Sequence, residues 1–149
     1  LQNDPNAQLN AGLIHYKGQG VPQDYKTAAK WFTLAAEQGY AKAQFDLGNA
    51  YLKGHGVPQD YETAVKWYTL AAEQGYANAQ LNLGVMYAME LSGIKNFVYA
   101  YMWVNIAVSN GSEDRGKLRE KIAKRMTAAE MVVAQKLARE CVRKKYKGC

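Results

Sequence analysis

The chain carries GQGVPQDY at residues 18–25 and returns to it as GHGVPQDY at residues 54–61. The two copies start 36 residues apart, and the segment TLAAEQGYA also occurs twice, at 33–41 and at 69–77. A degraded third copy follows one period later, and its matching residues are Phe97, Ala100, Trp103, Ala107 and Gly111. A period between about 20 and 50 residues is typical of proteins that stack one structural unit repeatedly. Such arrays present extended binding surfaces, so the repetition favours a binding function over a catalytic one.

Each repeat is predicted to form two antiparallel helices. The first spans about 41–53, where apolar residues recur every three or four positions. The G-x-G-V-P segment ends it, because glycine adopts positive φ and proline cannot continue a helix. The second spans about 60–74, with Asp60 as its N-cap and Gly75 as the left-handed residue after its C-terminus.

A glycine lies inside the first helix of every copy, at Gly12, Gly48 and Gly84. Because a glycine in a helix interior costs about 1 kcal/mol relative to alanine, its recurrence at one position predicts close contact between two helices. Large rings opposite small residues fill such contacts without voids. The tryptophans of the second helices are therefore predicted to be core residues, and these are Trp31, Trp67 and Trp103.

The ordered motifs L-G-x-x-Y, G-x-G-V-P-x-D-Y, A-x-x-W-Y and A-A-E-Q-G resemble the Sel-one-like repeat (SLR) family, a branch of the tetratricopeptide-like α-solenoids. The resemblance covers about 4–111 and implies an all-α, right-handed solenoid of antiparallel helix pairs. Its three units fall at about 5–40, 41–76 and 77–111. The third copy departs from the family in its loop, where residues 90–94 read ELSGI in place of G-x-G-V-P.

Residues 112–149 are predicted to form a two-helix cap over the last repeat. One helix spans about 113–125. The next begins at Thr127, which forms a capping-box pattern with Glu130. The pattern looks like the terminal capping helices of SLR proteins, and a solenoid needs such a cap to cover its last apolar face.

The positive charge of the chain is concentrated in this terminal segment. The formal net charge is +6, and residues 113–149 hold 12 Lys/Arg against 5 Asp/Glu. A basic segment of this kind favours acidic partners, nucleic acid or anionic surfaces. The alternative is an ordinary solvated face of the capping helices. Tyr146 is the only aromatic residue available there for base stacking, which disfavours nucleic acid.

Both cysteines, Cys141 and Cys149, lie in the same segment. On one continuous helix their Cα atoms would stand about 12 Å apart, whereas a disulfide requires less than about 7 Å. A bridge therefore needs the chain to turn back, and Gly148 favours such a turn. The even count and shared location favour pairing in an oxidising compartment such as a bacterial periplasm. The alternative is two reduced thiols in a cytoplasmic protein.

Few residues carry a catalytic pattern. His55 is the free position of the second G-x-G loop, where the first copy has Gln19. Neither His55 nor His15 belongs to a metal-ligand cluster, and phosphate-binding and hydrolase motifs are absent. Ser92 and Lys95 satisfy S-x-x-K, which occurs in penicillin-recognising enzymes together with two further motifs that are missing here. Some cysteine-rich SLR relatives are linked with penicillin, but they carry a disulfide in each repeat. We predict no catalytic residue, cofactor or metal.

The candidate binding surface is the face shared by the first helices of the repeats. Equivalent positions give a polar column with a neighbouring amide, comprising Asn10, Asp46, Asn82 and Asn49. Amides and a carboxylate at stacked positions bind the backbone of an extended peptide through hydrogen bonds. The alternative is ordinary solvated helix surface.

The resemblance thus implies a non-enzymatic adaptor that presents a concave groove to a protein or peptide. We expect a monomer without a membrane span, in a bacterial periplasm or secreted. The open alternatives are a penicillin-recognising hydrolase and a charge-driven binder of nucleic acid or acidic surfaces. Because the chain begins without Met and within a repeat-like segment, we also expect a fragment or a processed product.

Overall fold

The computed structural model describes residues 3–91, 95–112 and 116–149. Within these ranges the backbone forms helices, turns and loops and no strand, which confirms the all-α prediction. The helices are α1 (Pro5–Lys17), α2 (Tyr25–Glu37), α3 (Ala41–Lys53), α4 (Tyr61–Ala72), α5 (Ala77–Ala88), α6 (Phe97–Ser109), α7 (Lys117–Ala123) and α8 (Ala128–Arg143). Each of these helices is too short or too polar to cross a lipid bilayer.

The chain divides into two compact units, Leu1–Leu70 and Ala71–Cys149, and α4 contributes to both. Each unit has its own pattern of packed helices. The predicted boundary between repeats and cap at residue 111, the right-handed superhelix and the capping role of the terminal helices stay predictions.

In the first unit, α1 packs against α2, and α2 packs against α3. The core is made largely of small residues around a few large ones, and its members are Leu9, Ala28, Phe32, Ala35, Ala36, Ala43 and Leu47. The recurring A-A pairs of the sequence therefore face inward, where small side chains let helices approach closely.

The mid-helix glycines lie against an aromatic or branched side chain of the second helix. A Cβ atom on Gly48 would stand 2.7 Å from two ring carbons of Tyr68, and one on Gly12 would stand 2.6 Å from the ring of Phe32. In the second unit Gly84 meets Val104 in the same way, at 2.5 Å. The predicted close helix contact is therefore confirmed, and any residue larger than glycine would overlap its neighbour.

The expected tryptophan core is correct for one repeat only. Trp103 is buried, Trp67 is partly buried and packs against the first core, and Trp31 is partly buried. A fully buried tryptophan is therefore found in the third copy, whereas the rings of the first two copies are only partly buried. The ring beside the glycine belongs to the next residue along the helix, Phe32 or Tyr68. The side chains of neighbouring helix residues point in directions about 100° apart. When the residue after the tryptophan faces the glycine, the tryptophan ring therefore lies at the edge of the core.

The G-x-G-V-P-Q-D-Y loop is held by its own side chains. Gly54 has a φ of 70°, which favours glycine. The Nε2 of Gln59 donates to the carbonyl oxygen of Leu52 at 2.8 Å, and the carboxylate of Asp60 accepts from the backbone N–H of Thr63 at 3.3 Å. Positions 23 and 24 make the same contacts in the first copy. The predicted N-cap is thus confirmed, and the repeated loop sequence encodes a repeated turn.

In the second unit, α5 packs against α6, and α6 also packs against α7 and α8. The second core includes residues from α6, α7 and α8, namely Ala100, Tyr101, Val104, Ile122 and Ala134. The capping box predicted at Thr127 and Glu130 is present, with both hydrogen bonds at 3.1 Å. This box sets the start of α8.

The first terminal helix is shorter than the 113–125 predicted from the sequence. α7 begins at Lys117 because Gly116 before it has a φ of 93°, which an α-helix does not accommodate. Residues 113–115 lie outside the described part of the chain. Ile122 is buried in the second core, and the partly buried Leu118 and Met126 pack against it.

After α8 the chain turns back on itself. Lys145, Tyr146 and Gly148 all have positive φ, and Cys141 and Cys149 form a disulfide with their Cα atoms 5.5 Å apart. The backbone N–H of Gly148 also donates to a carboxylate oxygen of Glu73 at 3.0 Å. The terminal turn is therefore attached to the rest of the second unit by both covalent and polar contacts.

Candidate binding site

The first unit contains a cleft of about 290 Å³ between α1, α2 and α3. It is lined by Leu13, Tyr16, Lys17, Phe32, Lys42, Asp46, Asn49 and Lys53. Two residues of the sequence-predicted binding set, Asp46 and Asn49, are therefore brought together here. Because the lining residues sit on packed helices, the cleft is a preorganised feature of the fold.

Asp46 carries the negative charge of the cleft. Its side chain is 14% exposed, and one carboxylate oxygen lies 3.1 Å from the Nζ of Lys42, one helical turn away. Burial raises the pKa of Asp46, and the neighbouring Lys42 and Lys17 counteract this only in part. Removing this carboxylate from water therefore costs more than its ion pair returns.

Three lysines surround that single carboxylate and give the cleft a positive balance. Lys17 and Lys53 occupy the same position in successive repeats, 36 residues apart, at the ends of α1 and α3. Lys42 joins them from the first turn of α3, and its side chain is 45% exposed. These lysines were not predicted as binding residues, although the recurrence of Lys17 as Lys53 in the sequence is a signal that points to them.

Asn49 has a structural partner. Its side-chain oxygen accepts a hydrogen bond from the hydroxyl of Tyr68, the same ring that packs on Gly48. The amide therefore positions a core tyrosine as well as lining the cleft.

The other two predicted binding residues lie elsewhere. Asn10 is exposed on α1 of the first unit and does not line the cleft. Asn82 is half-buried on α5 of the second unit. The assignment of Asn10, Asp46, Asn49 and Asn82 to one binding surface stays a prediction.

A histidine that the sequence left as a free loop position is held by aromatic residues. His55 stacks on Tyr25, with ring centroids 4.3 Å apart and planes 4° from parallel. A hydrogen bond of 2.8 Å joins its Nδ1 to the hydroxyl of Tyr16. Burial raises the pKa of Tyr16, and the nearby Tyr25 and Asp46 raise it further. Because the first copy has Gln19 at this position, the repeat comparison gave no signal for this contact.

The structure brings together few groups that could perform chemistry. The described residues contain no group of three or more His, Cys, Asp or Glu side chains that could hold a metal ion. Ser92 lies outside the described part of the chain. Lys95, its partner in the S-x-x-K pattern, lies 5.2 Å from the ring centre of Phe97.

These observations define a class, namely a helical repeat protein built from α-hairpins of 36 residues, with a cleft between helices of its first unit. The family model described as "Sel1 repeat" matches residues 5–40, 41–76 and 77–112. The chain belongs to the Sel1 repeat family.

Two solved structures support this assignment. A Sel1 repeat protein from Oxalobacter formigenes is 40% identical with a TM-score of 0.73, and the match covers 76% of this chain and 46% of that one. A protective antigen present in uropathogenic Escherichia coli strains, displaying an SLR fold, is 35% identical with a TM-score of 0.88 and is matched over 97% of this chain. The match spans 32% of that antigen, so this chain corresponds to less than half the length of either protein. A comparison with curated proteins finds no significant match.

Proposed function

We propose that this protein is a non-enzymatic adaptor that binds a segment of another protein, with the cleft of the first unit as a contact surface. The observation that carries the proposal is the gathering of Asp46 and three lysines around one cleft of about 290 Å³ on packed helices. Membership of the Sel1 repeat family supports it, since proteins of this family are typically interaction scaffolds.

The cleft offers both hydrogen-bond acceptors and donors to a peptide. The carboxylate of Asp46 accepts from a backbone N–H, and lysine ammonium groups donate to carbonyl or carboxylate oxygens. With three lysines against one carboxylate, the cleft favours a peptide that carries an acidic side chain. Tyr16 and Leu13 add an apolar wall. Because exposed ion pairs contribute little each, we expect modest affinity and selection by charge.

The lining of the cleft favours binding over catalysis. Its described residues include no serine, cysteine, threonine or histidine. A serine, cysteine or threonine nucleophile activated by an adjacent base is therefore absent from this lining. We therefore propose no reaction for it.

Selection from a phage-displayed peptide library, followed by calorimetry with the enriched peptides, tests the proposal. Lys42→Ala with Lys53→Ala should weaken binding at least about fivefold, because both charges face the ligand. The matched control is Lys30→Ala with Lys66→Ala, which removes two exposed lysines from second helices outside the cleft. Equal affinities for the two double variants would contradict the proposed site, and so would a library without enriched peptides.

A chromogenic β-lactam assay tests the hydrolase alternative independently. The adaptor proposal predicts no turnover. Turnover that Ser92→Ala abolishes would assign an enzymatic function in its place.

We also propose that the protein works in an oxidising compartment such as a periplasm. The pairing of Cys141 with Cys149 supports this, since stable disulfides are rare in the bacterial cytoplasm. To test this, the protein is isolated from its native host with an alkylating reagent present at lysis. The protein is then denatured, and its alkylated cysteines are counted as free thiols. The proposal predicts no free thiol, and two reactive thiols would contradict it.

A further inference from the structure

The second unit contains a larger groove that the proposed function does not use. It has a volume of about 890 Å³ and runs between α6 and α8. Its lining is an apolar floor with a polar rim, formed by Asn105, Ile106, Ser109, Gln135, Ala138, Arg139, Val142 and Arg143. All of these residues belong to the second unit.

One face of α8 extends this groove along the helix. Val132, Gln135, Arg139 and Val142 are spaced by three, four and three residues, which places them on one side of a helix. Val132 is 64% exposed and Val142 is 50% exposed. Ten residues of helix span about 15 Å, so two aliphatic side chains stand about that far apart with polar and basic groups between them.

The charge of this face is positive and uncompensated. Arg139 and Arg143 are one helical turn apart, both are exposed, and neither takes part in an ion pair within the described residues. By contrast Arg119 donates to the side-chain oxygen of Asn105 at 2.8 Å, so that polar contact is already made inside the unit. The groove therefore offers the guanidinium groups of two arginines beside aliphatic side chains.

We propose that the groove between α6 and α8 is a docking site for an acidic, aliphatic segment of a partner protein. Two carboxylates of the segment pair with Arg139 and Arg143, because guanidinium groups bind carboxylates through two parallel hydrogen bonds. Aliphatic side chains of the segment cover Val132 and Val142. The site is separate from the cleft of the first unit and does not depend on its proposed role.

Two other classes of anionic partner fit this groove less well. Single-stranded nucleic acid binds on aromatic side chains that stack with bases, and no aromatic residue lines the groove. A membrane-binding helix buries a broad apolar face, whereas the apolar side of α8 is buried against α6 at Ala134, Ala138 and Cys141. The exposed valines of α8 are Val132, Val133 and Val142, and these three side chains leave little apolar area for lipid.

Binding of labelled peptides to the intact chain by fluorescence anisotropy tests the proposal. The probe is a peptide of about twelve residues built from Leu-Glu-Glu triplets, long enough as a helix to cover about 15 Å. One control peptide replaces Glu by Gln and the other replaces Leu by Ser. The Leu-Glu-Glu peptide should bind at least about tenfold more tightly than either control.

Variants locate the site. Arg139→Glu with Arg143→Glu should weaken binding of the Leu-Glu-Glu peptide at least about tenfold, and Val142→Ser should weaken it about threefold. The matched control is Lys136→Glu with Lys124→Glu, which makes the same change of charge at exposed positions outside the groove. Thermal unfolding followed by circular dichroism establishes that all variants are folded.

Several outcomes would overturn the docking proposal. Equal loss of binding in both charge-reversal variants would show attraction by overall charge, as would equal binding of the peptide without leucine. Tighter binding to anionic phospholipid vesicles or to single-stranded DNA than to the Leu-Glu-Glu peptide would assign the groove to those ligands. The variants that test the cleft of the first unit change other residues. Failure of the docking proposal would therefore not contradict the adaptor proposal, which has its own test.

Discussion

The second helices of the first and third repeats, α2 and α6, make the same close contact with a glycine on their inner faces but differ on their outer faces. In α2, Lys30 and Leu34 are exposed, and the leucine retains 46% of its accessible surface. At the equivalent positions of α6, Met102 and Ile106 are buried, with 1% and 2% of their surfaces exposed. α8 packs against α6. The outer face of α6 is therefore apolar and covered by α8, whereas the outer face of α2 exposes both a lysine and a leucine.

The inner faces show the opposite behaviour. Gly12 lies against Phe32 in the first unit, and Gly84 lies against Val104 in the second. The side chain opposite the glycine changes, yet the close contact persists. The glycine contact thus defines the repeat, whereas the outer face reflects each repeat's neighbours.

Exchanging the outer-face residues should produce the largest effect. Met102→Lys places an unpaired charge in a buried position, and we expect a loss of more than about 3 kcal/mol in the free energy of unfolding. The reciprocal Lys30→Met changes an exposed site and should stay within about 0.5 kcal/mol. Urea unfolding measures both. Similar small values for the two variants would mean that α8 does not exclude water from α6.

The terminal disulfide has no counterpart in the first unit, since both cysteines lie in the second. Cys141→Ser with Cys149→Ser should destabilise the protein by about 2.5 kcal/mol, from the loop-closure entropy of an eight-residue separation. This corresponds to roughly 5–10 °C in melting temperature for a chain of this size. Reductant should lower the melting temperature of the wild type and leave the variant unchanged. An unchanged wild type would show that the polar contacts of the turn suffice to hold it.

The shared inner contact is tested by Gly48→Ala. Overlap with the Tyr68 ring should cost about 1–3 kcal/mol, while alanine returns about 1 kcal/mol of helix propensity. A net loss of up to about 2 kcal/mol is expected in urea unfolding, with a loss of the same sign for Gly84→Ala. Asn10→Ala, on the exposed face of α1, is the control and should change little. A stabilising Gly48→Ala would disprove the close contact.

Two aspartates of the first unit should respond to pH in opposite directions. Burial raises the pKa of Asp46, so its ionised form destabilises the fold above that pKa. Asp46→Asn should therefore raise the melting temperature at neutral pH, and the difference should shrink as pH falls through the raised pKa and then the ordinary aspartate range. Melting curves between pH 7 and pH 3 measure this.

Asp24 provides the matched control. Hydrogen bonds from Thr27 hold its pKa below the ordinary value, so its ionised form stabilises the fold above the ordinary range, and this contribution is lost as pH falls through the lowered pKa. Asp24→Asn should lower the melting temperature at neutral pH, with a difference that narrows in acid. If both variants changed the melting temperature at neutral pH in the same direction, the result would contradict the effect of burial on Asp46 or the effect of the Thr27 hydrogen bonds on Asp24.

The helices were largely predictable because their signals are local. The bounds of α3, the N-cap at Asp60 and the capping box at Thr127 follow from residues within one turn of each other, and the structure contains all three. The start of α7 was predicted less well, since it depends on the left-handed conformation of Gly116. A glycine in sequence does not reveal which of its accessible conformations the fold selects.

The candidate sites were less predictable than the helices. Repeat arithmetic identified Asp46 as a binding residue, but it gave no account of the lysines around it or of the bond between Asn49 and Tyr68. His55 was interpreted as a free loop position and instead stacks on Tyr25, 30 positions earlier in the numbering. Such contacts join residues from different helices and loops, and a single sequence does not show which of these residues lie close together in space.

The sequence alone established a helical repeat, its period, its turns and the glycine positions where helices approach closely. These properties depend on side chains a few residues apart and on the conformations that glycine, proline and aspartate favour. The tertiary structure established that Tyr68 rather than Trp67 faces Gly48. It also established that the side chain of Asp46 is largely buried and that Arg139 and Arg143 line a groove. The reason is that helical periodicity places adjacent residues on overlapping faces, and only the packing of neighbouring helices selects which of them is buried.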